Sequence, residues 1–242
     1  MQNKFKPILY STEMVGSLQD GIKTQTRRTN GLEIPNQNPD QYEFLGWDKN
    51  HVVFKSAFGK LIDCKPKYQI GDILWVRETF EYFSADWDSH EDDLEISSTV
   101  IFNYKASDEK SLNKVQVKNI LAYKALISIT QKEGWKPAIH MPKEAARLFT
   151  KVTDVRLERL KDISTEEAKA EGVKSFNHGY GGSPVGIWWK DYVYGSHNIE
   201  TPKLSFKTLW ENINGKGSWN LNPWVWVYEF KVIEKPADFG IN

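Results

Sequence analysis

Trp224, Trp226, Tyr228 and Phe230 recur at every second position between Pro223 and Glu234, and this constrains the fold more than any other stretch of the chain. A period of two belongs to a β-strand with one buried face. Four aromatic rings on that face need a thick apolar layer to receive them. Trp188, Trp189, Trp210 and Trp219 crowd the same C-terminal quarter. Aromatics at this density are read as the filling of a barrel or sandwich core in preference to a base-stacking platform.

The rest of the chain repeats the theme of strands with short helices between them. Lys6–Tyr10 reads as a first strand, and Ser11 or Thr12 caps a helix running through Asp20, with Met14, Val15 and Leu18 on one face and Gly21 as its stop. Residues 30–67, rich in Asn, Pro, Gly and Asp, read as an insertion with a hairpin near His51–Phe58. A strand is expected over Ile73–Phe80, an acidic solvated loop over Asp86–Glu95, and a strand over Val100–Ala106. Lys114–Thr130 fits helix or strand equally. Residues 81–134 thus form a second insertion. Trp135–Pro142 is a rigid connector leading to a helical turn at Lys143–Arg147, and Phe149–Leu160 is a long strand with a slip of phase at Thr153-Asp154 that suggests a bulge. Ser164 and Glu167 form a capping box before a short helix closed by Gly172, with Ile163 and Ala168 as its hydrophobic staple. Asn177–Gly186 is a glycine-rich loop without the ending of a phosphate-binding loop. Ser205–Ile213 is an amphipathic helix with Phe206, Leu209, Trp210 and Ile213 inward. No βαβ rhythm appears. The expected class is α+β: one domain, 1–242, built on a mixed barrel with flanking helices and two insertions.

Composition narrows the function. Lysine plus arginine equals aspartate plus glutamate, so no global basic field draws in nucleic acid, and any such contact must be local. One cysteine, Cys64, excludes an internal disulfide and a cysteine-based zinc site within one chain, and reads as a buried thiol. Asp86, Asp88, His90 and Asp92 fit no calcium-loop spacing, so no metal and no cofactor are expected. No segment approaches about 18 apolar residues, and no apolar run marks a signal peptide. A soluble, cytoplasmic protein without a membrane partner is the expectation.

The densest chemistry is Gly21–Arg28, Gly-Ile-Lys-Thr-Gln-Thr-Arg-Arg, directly after the first helix. Cations and hydroxyls packed this closely suit a polyanion grip, an activated nucleophile or a solvated turn.

Several segments together resemble the ASCH family of the PUA-like β-barrel superfamily. They are the helix leading to Gly21–Arg28, the Tyr68-Gln69-Ile70-Gly71-Asp72 turn before a strand, the Asp162–Gly172 helix and the closing Trp224–Phe230 strand. Trp75-Val76-Arg77-Glu78, Ile139-His140-Met141-Pro142 and Asn222-Pro223-Trp224-Val225-Trp226 make the longer layout similar to phage- and prophage-encoded members. The resemblance implies a link to RNA or a modified nucleoside. Small members include amidohydrolases of N4-acetylcytidine, whose lysine, threonine and glutamate fall here on Lys23, Thr26 and Glu171. The long insertions depart from those compact enzymes.

Amide hydrolysis needs a nucleophile, a base and an acid, and Thr26, Lys23 and Glu171 supply one of each. Glu171 in the last turn of its helix meets the negative end of the dipole, which favours the protonated acid. Lys23 past a helix C-terminus favours the ammonium, so Arg27, Arg28 or desolvation must lower its pKa if it is a base. Otherwise it binds an anion or merely caps helix carbonyls. Arg27 and Arg28 are expected on substrate phosphates. Arg77-Glu78 forms a cross-strand ion pair or lines a pocket. Trp75 and Trp135 stack on a base or, more simply, pack in the core; His140 is a binding residue or, more simply, a satisfied structural histidine. The alternatives to the enzyme are a non-catalytic RNA-binding module and a scaffold for interactions.

Overall fold

The computed structural model describes residues 4–88, 97–107, 113–117, 123, 134–177 and 186–240, with 83–88, 97 and 98 traced by backbone alone. In chain order the elements are β1 (Phe5–Leu9), α1 (Thr12–Gln19), β2 (Gln25–Arg28), β3 (Tyr42–Asp48), β4 (His51–Ser56), β5 (Leu61–Cys64), β6 (Ile73–Arg77) and β7 (Phe80–Asp88). They continue with β8 (Ser97–Tyr104), β9 (Asn113–Gln116), β10 (Phe149–Arg159), α2 (Thr165–Ala170), β11 (Ser175–Asn177), β12 (Ile187–Trp189), α3 (Pro202–Asn214) and β13 (Trp224–Ile233). The chain forms two compact units, one from residues 17–72 and 151–232, the other from the described residues of 4–16, 73–150 and 233–240.

In the first unit β13 lies between β10 and β2. It pairs antiparallel with β2, from Trp226 opposite Arg28 to Glu229 opposite Gln25. A central strand is covered on both faces, which is why Val225 and Val227 are as deeply buried as Trp226 and Tyr228. The aromatic face receives the antiparallel sheet β3-β4-β5: Phe54 meets Trp224 edge-on and Trp47 lies 5.8 Å from Trp226. Asn36 closes this contact by exchanging two hydrogen bonds with the backbone of Trp224. The expected insertion at 30–67 is therefore packed on the strand that opened the sequence argument. The hairpin expected at 51–58 is the second half of a three-strand meander.

The helices follow their caps. Ser11, not Thr12, caps α1, its Oγ accepting from the Met14 N–H. The capping box is complete at α2: Glu167 N donates to Ser164 Oγ, and Ser164 N donates to Glu167 Oε2. α3 starts three residues before the expected Ser205, because Thr201 caps the Leu204 N–H and Pro202 occupies the first turn. Phe206, Leu209 and Trp210 are buried as expected, but Ile213 is 56% exposed. It sits in the last turn of a 13-residue helix whose packing partner α2 has only six residues.

In the second unit β1 runs parallel to β6, from Phe5 opposite Ile73 to Leu9 opposite Arg77. β7, β8 and β9 form an antiparallel sheet. The core gathers Ile73, Trp75, Phe80, Phe102, Tyr104 and Phe149 with Phe239. Three expectations change here. The strand over 73–80 is two strands, interrupted at Glu78-Thr79. The acidic loop is entered late, since β7 continues through Asp86 to Asp88, and 89–96 lie outside the described residues. The ambiguous 114–130 segment starts as strand β9, with only Val117 and Tyr123 described beyond it. The glycine-rich stretch 178–185 is likewise outside them.

None of these sheets closes into a barrel among the described residues, so the observed class is mixed α/β and rich in sheet. No described helix is long and apolar enough to cross a membrane. Cys64 is buried, and burial, followed by Glu33 and Asp63, pushes its thiol up to about 11, far from a reactive thiolate.

Candidate active site

The last turn of an α-helix leaves carbonyls without partners. Those of α2, and the carbonyl of Gly172 just beyond it, are taken by α1 and the segment that follows it. Thr24 N donates to Ala170 O at 2.9 Å, Lys23 Nζ to Glu171 O at 2.6 Å, and Ser17 Oγ to Gly172 O at 2.7 Å. Gly172 makes this approach possible. Its φ is +92°, and a Cβ there would stand 2.9 Å from Lys23 Cβ and 3.0 Å from Ser17 Cβ. Two segments far apart in sequence are thereby locked side by side.

The contact brings Lys23 and Glu171 together. Lys23 Nζ also donates to Glu171 Oε2 at 3.2 Å and to Gln25 O at 2.9 Å. Lys23 is 2% exposed and Glu171 3%. Loss of hydration is the largest influence on Lys23, which Glu171 opposes and Arg28 and Arg27 reinforce. The net result lowers its pKa from 10.5 to about 8. The buried amine thus gives up its proton more readily than a solvated lysine does.

Arg27 is the first correction. Its guanidinium is not a phosphate contact but is turned inward onto three carboxylates: Glu171 Oε1 at 3.1 Å, Glu158 Oε2 at 2.9 Å and Glu167 Oε1 at 3.4 Å. Phe206 of α3 covers its carbon from 5.9 Å. A planar fork of fixed charge suits this role, and here it fixes the direction of Glu171. Arg156 extends the cluster to Asp154, Glu158, Glu167 and Glu229. Burial pushes the Glu167 carboxyl up, yet the Ser164 N–H, Arg156 and Arg27 together hold it at about 2.

Strand alternation separates the remaining residues. Thr26 and Arg28 lie on the opposite face of β2 from Gln25 and Arg27, and share that face with Tyr228 and Trp226. Thr26 is 1% exposed, and its Oγ1 has no hydrogen-bond partner among the described residues. It is not bonded to Lys23 or Glu171, so the structure joins two of the three expected catalytic residues directly and leaves the third as a buried orphan hydroxyl. Arg28 is half-buried, and its charge acts on Lys23, Tyr68 and Tyr228. Burial raises Tyr68 to about 12 although Arg28 opposes it. The rings of Tyr68 and Tyr228 meet edge-on at 5.1 Å.

The other expected binding residues stand in the second unit. Trp75 is buried, with Phe239 at 6.2 Å, and is a core residue. Arg77 lies over the Trp75 ring and donates to Ile139 O, while Glu78 forms an ion pair with Arg147, which lies outside the strands. Trp135 is 39% exposed, too open for a core residue. His140 ends an exposed 3-10 turn, so it is not a satisfied interior histidine.

Sequence reasoning missed Glu158, Arg156, Tyr68, Tyr228 and Ser17. The alternating charges of Asp154, Arg156 and Glu158 on a strand were a visible signal for the first two; nothing comparable marked the others. Among the described residues no group of histidine, cysteine, aspartate and glutamate is arranged to hold a metal ion. No protein-family model, no curated protein and no solved structure matches the chain.

Proposed function

We propose that the chain is an amidohydrolase acting on an acylated base of a nucleoside or RNA, of the kind represented by N4-acetylcytidine. One observation carries the reading. Lys23 and Glu171, 148 positions apart, meet in a buried pair in which the lysine pKa falls to about 8. The orphan hydroxyl of Thr26 nearby in sequence supplies the missing nucleophile.

In the proposed reaction neutral Lys23 takes the Thr26 hydroxyl proton as Oγ1 attacks the acyl carbonyl. For this its amine exchanges a protein carbonyl for the hydroxyl. The ammonium so formed passes that proton to the departing amine of the base, while the Glu171 carboxylate holds the lysine in line. Water then cleaves the threonine ester, releasing the acid and restoring the hydroxyl.

A non-catalytic reading is favoured by a different observation: three protein oxygens already accept hydrogen bonds from the Lys23 ammonium. In that case Lys23 is a helix cap, and any RNA binding falls steeply with salt. Acetate and cytidine release from N4-acetylcytidine separates the two. The enzyme reading expects turnover whose rate rises with pH through about 8, lowered about 100-fold or more by Glu171→Gln. No turnover by the intact protein, or an unchanged rate in Glu171→Gln, would leave the non-catalytic reading in its place.

A further inference from the structure

The second unit holds a cavity of about 480 Å³ whose described lining includes Lys114, Gln116, Lys143, Glu144, Lys235 and Phe239. That volume is in the range of small-ligand sites. Three lysines face one glutamate. Glu144 is occupied, accepting from the Tyr123 hydroxyl at 3.4 Å, and no salt bridge forms at Lys114, Lys143 or Lys235 among the described residues. Two of the ammonium groups are held in place by rings. Lys143 Nζ stands 4.9 Å from the centre of Phe239 and 5.8 Å from Phe5, and Lys235 Nζ stands 5.9 Å from Phe239. Such contacts orient a cation without neutralising it. Phe239 is itself fixed edge-on by Phe149 at 4.7 Å and by Phe5 at 5.2 Å. Lys114 and Gln116 alternate with Val115 on β9, so one side of that strand adds a third cation and an amide.

Three ammonium groups against one carboxylate leave the cavity wall with an excess of positive charge, which calls for a ligand with a multiply charged anionic group. We infer that this cavity binds a nucleoside phosphate, with Lys114, Lys143 and Lys235 on the phosphate and the nucleoside in the cavity beside the edge of Phe239. Phosphate is the anion that lysine serves as a point charge. The ligand is either a free nucleotide or one residue of a single strand, since both present the same group. The site lies wholly in the second unit and does not depend on the Lys23–Glu171 reading.

Calorimetric titration of the whole chain with adenosine 5′-monophosphate, inorganic phosphate and a single-stranded octa-adenylate tests the inference. Lysine-to-glutamine changes keep the stem over the ring, so Lys143→Gln/Lys235→Gln removes charge with little loss of packing. Lys114→Gln touches neither ring and serves as a second variant if the first is poorly folded. Binding of the monophosphate, weakened about tenfold or more in the double variant, supports a free nucleotide. Binding of the octamer alone supports a strand, with a salt slope that becomes shallower by about 0.7 for each lysine removed. Failure of both ligands to bind overturns the inference. So does unchanged affinity in the variants, or inorganic phosphate binding as tightly as the monophosphate.

Discussion

Each compact unit sets a cation against a buried carboxylate, and the two pairs are built differently. In the second unit Arg147 grips Glu78 with both arms of its fork, Nε to Oε1 and Nη2 to Oε2, each at 2.8 Å. Its third side donates to Ser107 and its face covers the Tyr104 ring at 4.1 Å. In the first unit Lys23 touches Glu171 Oε2 once, at 3.2 Å, and spends its shorter contacts on backbone carbonyls. An arginine stays charged at any working pH and so can only lock. A desolvated lysine with a pKa of about 8 can exchange its proton. The two pairs therefore differ in whether the cation can give up its proton, not in how completely it is bonded.

The comparison breaks most visibly on removal of a cation. Arg147→Met leaves Glu78 buried and unpaired, with an expected cost of about 3–5 kcal/mol in denaturant unfolding. A loss below about 1 kcal/mol would show that the fork is not a lock. The next effect is a pH window. The folded pKa of Lys23 is lower than the unfolded value of 10.5, so between the two the unfolded chain binds more protons. Folding therefore gains stability as pH rises from about 8 to 10.5. The gain is complete above 10.5 and lost as pH falls through 8, and it amounts to at most about 3 kcal/mol. It should appear as a pH-dependent difference between wild type and Lys23→Met, and should be absent from the difference between wild type and Arg147→Met. Smaller still is the cost of Lys23→Met at pH 7. Relief from burying an ammonium offsets the lost hydrogen bonds, and Glu171 keeps Arg27, so stability should stay within about 1 kcal/mol of wild type.

Much of this was legible in the sequence where a local rule decided the outcome. The Ser164–Glu167 capping box, the stop at Gly172 and the alternating aromatics of the last strand are decided within a few residues, and each stands as read. Thr201-Pro202 carried a helix start that was passed over in favour of the apolar positions further on. Arg27 was misread because β2 has only four residues, and nothing within them says which face the helices cover. A one-residue change of phase exchanges Thr26 and Arg27 between the two faces. The pairing of Glu78 with Arg147 was out of reach for another reason. An alternating strand turns adjacent Arg77 to the other face, and only tertiary packing brings in a guanidinium 69 positions away.

Thr26 gives the most direct trial of the central claim, because structure and catalysis make opposite demands on it. Its buried hydroxyl bonds to none of the described residues, so Thr26→Val removes an unsatisfied polar group at nearly constant size and should hold or raise stability by up to about 1 kcal/mol. If Thr26 is the nucleophile fed by Lys23 and Glu171, acetate release from N4-acetylcytidine by this stably folded variant should fall at least about 100-fold below wild type. A rate equal to wild type would contradict the account.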